Sequence, residues 1–139
     1  MNFMTEAWLH QKSPEELTAL LYEALERNLL EAKTAVHDQA YMDANAKLQK
    51  ANDIIHRLGA GLNFEAGIIA DQLEALYNYM AEQVIMANRT KTTAPIDEVL
   101  RILNDIDTAW QTAQQTKKDQ ASAGRKMQAN AYEKQMMFD

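Results

Sequence analysis

An all-α fold, an antiparallel up-down four-helix bundle with a short N-terminal arm or helix and a polar C-terminal tail, is predicted by three features of this 139-residue chain. Glycine (4) and proline (2) are scarce, and each one inside a helix would weaken it, so long helices joined by short links are expected. β-branched residues are thin, whereas Ala, Leu, Gln, Glu and Met are plentiful, which favours helix over strand. Apolar residues recur at helical spacing in four successive segments. The length suits one domain with one core. Its expected parts are an arm over residues 1–12, a bundle over 13–116 and a tail over 117–139 that is either disordered or docked as a helix.

The first helix opens at Ser13-Pro14-Glu15-Glu16. Ser13 can cap free N–H groups, Pro14 suits the first turn and Glu16 completes a capping box. Leu17, Leu21, Leu25, Ala32 and Ala35 then share a stripe to about Val36. Asp38 or a neighbour opens a second helix, roughly Ala40 to Leu58, in which Tyr41, Leu48, Ala51, Ile55, Leu58 and, beyond it, Leu62 share a face. Gly59 and Gly61 are its natural stop.

A third helix is expected from Phe64 to Asn88, with three apolar stripes. Ile69, Leu73, Leu76, Met80, Val84 and Ala87 would satisfy a bundle core. Ile68, Ala75, Tyr79 and Met86 form a second stripe, and Tyr77, Ala81 and Ile85 a third. Neighbours on two sides would bury all three; otherwise an apolar groove stays open. Pro95 sits near the start of a fourth helix, where Ile96, Val99, Leu100, Leu103, Ile106, Trp110 and Ala113 make a coiled-coil-like seam. Beyond Gln114 the pattern fades.

Charge and composition exclude several function classes. Residues 1–113 carry 9 Lys/Arg against 17 Asp/Glu, or −8, and residues 114–139 carry 5 against 3, or +2. An acidic body repels phosphate backbones, so no nucleic-acid partner is expected. No run of 18 apolar residues occurs, so no membrane insertion is expected. The chain has no cysteine, which suits a reducing compartment and, with no signal-peptide pattern over Met1–Lys12, a cytoplasmic location.

Chemistry-bearing motifs are equally sparse. His10, His37 and His56 accompany no hydrolase motif. A single Asp53-x-x-His56 falls short of the two Glu-x-x-His pairs of a di-iron bundle, so neither a metal nor a cofactor is expected, and no enzyme activity. His56-Arg57-Leu58-Gly59 resembles the site of histidine-phosphotransfer domains, yet Gly59 stands where their charge-balancing lysine belongs.

A longer pattern is more specific. Ser13-Pro14-Glu15-Glu16-Leu17 followed by Leu20-Leu21-Tyr22-Glu23, then Asn52-x-Ile54-Ile55, resemble segments of the flagellin export chaperone family (FliS). So does the run from Ala60-Gly61-Leu62-Asn63-x-Glu65-x-Gly67 through Leu73, Leu76-Tyr77-x-Tyr79-Met80, continued by Ala87-Asn88, Glu98-Val99 and Trp110. The resemblance covers Ser13 to about Ala113. Departures are the lone Gly67 where the family has a glycine pair, Glu23-Ala24 in place of Asp-Gly, and an arm without tyrosine.

The resemblance implies a cytosolic chaperone that binds the disordered C-terminal region of flagellin, prevents premature polymerisation and delivers it to the flagellar type III secretion apparatus. Contact with the cytosolic domain of the export gate and a homodimer are compatible with it. The expected client groove is lined by Tyr22, Leu25, Ile54, Ile55, Leu62, Tyr77, Tyr79 and Ile85. Phe3 and Trp8 would cap it from the arm when the client is absent. The alternative from another class is a bundle that only dimerises or scaffolds.

Overall fold

The computed structural model describes residues 11–63, 65 and 67–138, leaving aside the side chains of residue 132 and of residues 134–138. Among these residues four helices follow in order: α1, Pro14–His37; α2, Tyr41–Ala60; α3, Ile68–Thr90; and α4, Ala94–Phe138. The chain is an all-α helical bundle. It divides into two compact units, Met1–Asn104 and Asp105–Asp139. The arm residues Phe3 and Trp8 lie outside the described residues.

In the first unit α1 packs on α2 and α2 on α3. The start of α4 joins them through an ion pair of 2.7 Å between Lys33 and Asp97. Leu25 and Leu29 of α1, Leu48 and Ile55 of α2, Met80 and Val84 of α3, and Ile96 and Val99 of α4 are completely buried. Each such side chain contributes roughly 1.5–3 kcal/mol by leaving water. Asn28 is the buried polar exception and is satisfied within its own helix, its Nδ2 donating to the Ala24 carbonyl at 2.7 Å.

The start of α1 follows the sequence expectation at Ser13 and Pro14, whereas the Glu16 carboxylate turns to Lys12 and does not close a capping box. The Glu16 N–H donates to Ser13 Oγ at 3.1 Å, Pro14 occupies the first turn, and the Glu16 carboxylate lies 3.9 Å from Lys12. The passage to α2 differs. Asp38 closes α1 instead of opening α2, and Ala40 begins α2 without a side-chain cap. The reason is a Schellman closure: the Ala40 N–H bonds to the Ala35 carbonyl at 2.8 Å and the Gln39 N–H to Val36 at 3.1 Å. That closure needs a left-handed residue, and Gln39 supplies it at φ 59°. Lys91 does the same after α3 at φ 52°, its N–H bonding to the Ala87 carbonyl at 2.8 Å.

Two further boundaries move. α2 continues through Gly59 to Ala60, with Gly61 as its cap, because a single interior glycine weakens a helix without ending it. α3 begins at Ile68 and not at Phe64, because Gly67 adopts φ 70°, a conformation outside the helix that costs glycine nothing. α4 extends through residues 117–138, the segment whose periodicity fades.

Gln39 carries a Cβ in a conformation that disfavours one by about 1–2 kcal/mol. Gln39→Gly removes that penalty and adds the smaller entropy cost of glycine. The expected outcome is a gain of about 0.5–1 kcal/mol in urea unfolding with an unchanged m-value.

Candidate functional site

Among the described residues α3 exposes more large apolar side chains than any other helix. Its core face is drawn from two of the three sequence stripes: Met80, Val84 and Ala87 from one, Tyr77 and Ala81 from another, together with Ala70. The stripe of Ile68, Ala75, Tyr79 and Met86 stays exposed throughout, as do Ile69 and Leu76 of the stripe assigned to the core. Ile69, Gln72, Leu76, Tyr79, Gln83 and Met86 recur with alternating spacings of three and four, which aligns them in one row. Ile68, Ile69, Leu76, Tyr79 and Met86 are between 38% and 74% exposed. Such a row is apolar surface at helical spacing that the described residues leave uncovered.

The rotation that presents this row is fixed from inside. Tyr77 lies two residues before Tyr79, on the opposite side of α3, and its hydroxyl meets that of Tyr22 from α1 at 2.8 Å in the core. Burial pushes the Tyr77 hydroxyl's pKa above its usual range, and the bond to Tyr22 opposes this in part. Tyr79 itself is 40% exposed. Glu98 of α4 has its carboxyl held below the usual range chiefly by Arg101, 2.8 Å away, with Tyr79 a lesser influence.

On the other flank of α3, Ile85 is 54% exposed at a cleft of about 370 Å³ between α2 and α3. Leu48, Val84 and Ile85 supply its apolar wall, and Asn45, Asn52 and Asn88 its polar one. Asn88 Nδ2 donates to Asn45 Oδ1 at 2.7 Å, and Lys91 donates to Asn88 Oδ1. Asn52 Oδ1 is buried and has no partner among the described residues. An acceptor left so costs about 1–3 kcal/mol until a donor arrives.

Of the expected groove residues, Tyr79 and Ile85 are exposed and Leu62 is half-buried. Tyr22, Leu25, Ile54, Ile55 and Tyr77 are buried in the core. These five back the surface from beneath and do not line it. Sequence reasoning overlooked the exposure of Ile69 and Leu76, and the three asparagines. Asn45 and Asn52 stand seven residues apart on the side of Leu48, which is the signal that would have found them. His56 is exposed on α2. Among the described residues no group of three or more His, Cys, Asp or Glu side chains is placed to hold a metal ion, and no helix is long and apolar enough to cross a membrane.

Comparison with known proteins bears on what this surface serves. The family described as "Flagellar protein FliS" matches residues 4–117. This chain belongs to the FliS family. It is 32% identical over 107 residues to the flagellar secretion chaperone FliS of Salmonella typhimurium, covering 76% of this chain and 79% of that one. Its identity to the Bacillus subtilis chaperone of that name is 31% over 113 residues, covering 81% and 84%. With the Vibrio cholerae FliS it shares 30% over 106 residues, covering 76% and 78%. A crystal structure described as a flagellar chaperone from bacteria has the same fold, with a TM-score of 0.70 at 20% identity, covering 80% of this chain and 97% of that one. α4 runs 21 residues past the end of the FliS match, to Phe138.

Two measurements test the buried tyrosine pair. Tyr22→Phe leaves the Tyr77 hydroxyl without that partner and is expected to cost about 1–3 kcal/mol. In a double-mutant cycle, Tyr22→Phe/Tyr77→Phe costs less than the sum of the single changes. Because the folded-state pKa of Tyr77 is raised, its contribution is full below the unfolded value of 10.0 and is lost as pH rises through the folded value. Stability measured by denaturant therefore falls above about pH 10, and Tyr77→Phe flattens that decline.

Proposed function

We propose that this chain is a cytosolic export chaperone for flagellin, holding the disordered C-terminal segment of the subunit as helix until secretion. The observation that carries the reading is the uncovered row on α3 in a chain of the FliS family. Ile69, Leu76, Tyr79 and Met86 offer an amphipathic helix a partner seam. Ile85 and Leu62 continue the contact on the flanks, with Tyr22, Leu25, Ile54, Ile55 and Tyr77 as its supporting floor. The relatives' names, flagellar secretion chaperones, support a secreted flagellar client, and flagellin is the client the residue pattern favours.

The physics suits temporary custody. A segment that folds on binding uses a large contact area while its ordering cost restrains affinity. Apolar side chains shielded in the complex are the ones that would otherwise associate prematurely. Methionine at position 86 tolerates imperfect complementarity. Delivery to the export apparatus requires release, which moderate affinity permits.

The test is titration of the chain with a peptide of roughly forty residues from the C-terminus of the cognate flagellin. One-to-one binding with a negative heat-capacity change and new helix by circular dichroism is expected. Tyr79→Ala and Ile85→Asp each weaken it by about 1–2 kcal/mol, with melting temperature shifted little because both side chains are exposed. A folded protein that binds no such peptide overturns the reading and leaves a scaffold or dimerisation module.

A further inference from the structure

The cleft between α2 and α3 lies wholly within the first unit and is polar as well as apolar. Asn45 and Asn52 stand two turns apart on α2, about 10 Å along the helix. Ile85, Asn88 and Arg89, three and four residues apart, share the facing side of α3. At one end of the cleft the polar groups are occupied, since Asn45, Asn88 and Lys91 bond to one another in a chain. At Asn52 they are not. Its Oδ1 is buried without a partner among the described residues, beside an opening of about 370 Å³. That is room for a side chain from a partner.

Charge and chemistry narrow what fits there. Arg89 and Lys91 form no ion pair among the described residues, and no Asp or Glu is among the residues lining the cleft. A lysine or arginine brought to Asn52 would meet like charge, and a carboxylate would set oxygen against oxygen. The fitting donor is therefore neutral. A hydroxyl offers one hydrogen, whereas a primary carboxamide offers a donor and an acceptor side by side, the complement of Asn52 itself. Turning the Asn52 amide end for end leaves that match intact, because the buried atom is then a nitrogen in need of an acceptor. Leu48, Val84 and Ile85 would cover the aliphatic stem, with Ile85 54% exposed at the lip.

We infer that the α2–α3 cleft is a specificity subsite for the client, in which an Asn or Gln side chain of the bound helix pairs its carboxamide with that of Asn52. The inference rests on the reading that the client is flagellin folding as helix. It adds a requirement that the apolar row of α3 does not impose. Apolar seams accept many sequences, whereas a buried acceptor left unpaired rejects a client without the matching donor. The oxygen that destabilises the free chain becomes a contact in the complex.

The test is calorimetric titration of the full chain with the C-terminal flagellin peptide and with peptides in which each Asn or Gln in turn is replaced by Ala. Asn52→Leu is expected to bind the unaltered peptide about ten-fold more weakly. Its melting temperature equals or exceeds that of the unaltered chain, because the orphaned oxygen is gone. Asn52→Ala gives the same loss of affinity and serves should leucine crowd the cleft. One peptide replacement, at the carboxamide that enters the cleft, weakens binding to the unaltered chain about ten-fold and leaves binding to Asn52→Leu unchanged. A merely structural role for Asn52 does not produce that coupling. Equal binding of the unaltered peptide by the chain and both variants, or losses that simply add, overturns the inference and leaves the flagellin reading standing. A folded chain that binds none of the peptides overturns both.

Discussion

Which way α3 is turned about its own axis governs what the first unit presents to its surroundings. Three apolar stripes compete for the core, and the hydroxyl contact between Tyr77 and Tyr22 admits one rotation. With Tyr77 inward, Met80, Val84 and Ala87 fill the interior beside Leu25, Leu48 and Val99. Ile69, Leu76, Tyr79 and Met86 are then left outside, and Ile85 is brought to the edge facing α2. A rotation of one residue, about 100°, would bury part of the exposed row. It would also place a phenol in solvent and strand the other in the core. A hydrogen bond between two side chains thus determines where apolar surface is left over, although burial supplies most of the stability.

The fold was largely legible in the sequence because its signals are local. Ser13 and Pro14 mark a helix start that needs no tertiary help, and the scarcity of glycine limits where helices stop. Errors fall where a local signal has two outlets. Asp38 is a good helix opener, yet a closure made by the backbone of Gln39 and Ala40 claimed it for the end of α1. Gly67 reads as a tolerable glycine inside a helix until its positive φ is known. The extension of α4 left little trace in periodicity because a helix rich in Ala, Gln and Lys follows backbone preference without an apolar stripe.

The candidate surface was legible only partly in its placement. Tyr79 and Ile85 were expected at the surface and lie there, whereas Tyr22, Leu25, Ile54, Ile55 and Tyr77 carry the same amphipathic spacing and are interior. Spacing tells which residues share a side of a helix and not which side faces the core. The asparagines escaped notice for a related reason. Asn45 and Asn88 are 43 positions apart, and a polar pair becomes visible as a pair only once two helices lie side by side.

That pair has a mechanical consequence. α2 and α3 are joined by the chain at one end, through residues 61–67, and latched near the other by Asn45, Asn88 and Lys91. Apolar contacts alone would let two helices slide past one another, whereas a carboxamide latch permits one register. Held at both ends, the two rods cannot splay like a pair of tongs. They can only bow apart at mid-span, where the Asn52 oxygen lies without a partner. A body entering between them would meet least resistance beside that oxygen, and the latch would bring the helices back to one alignment on its departure.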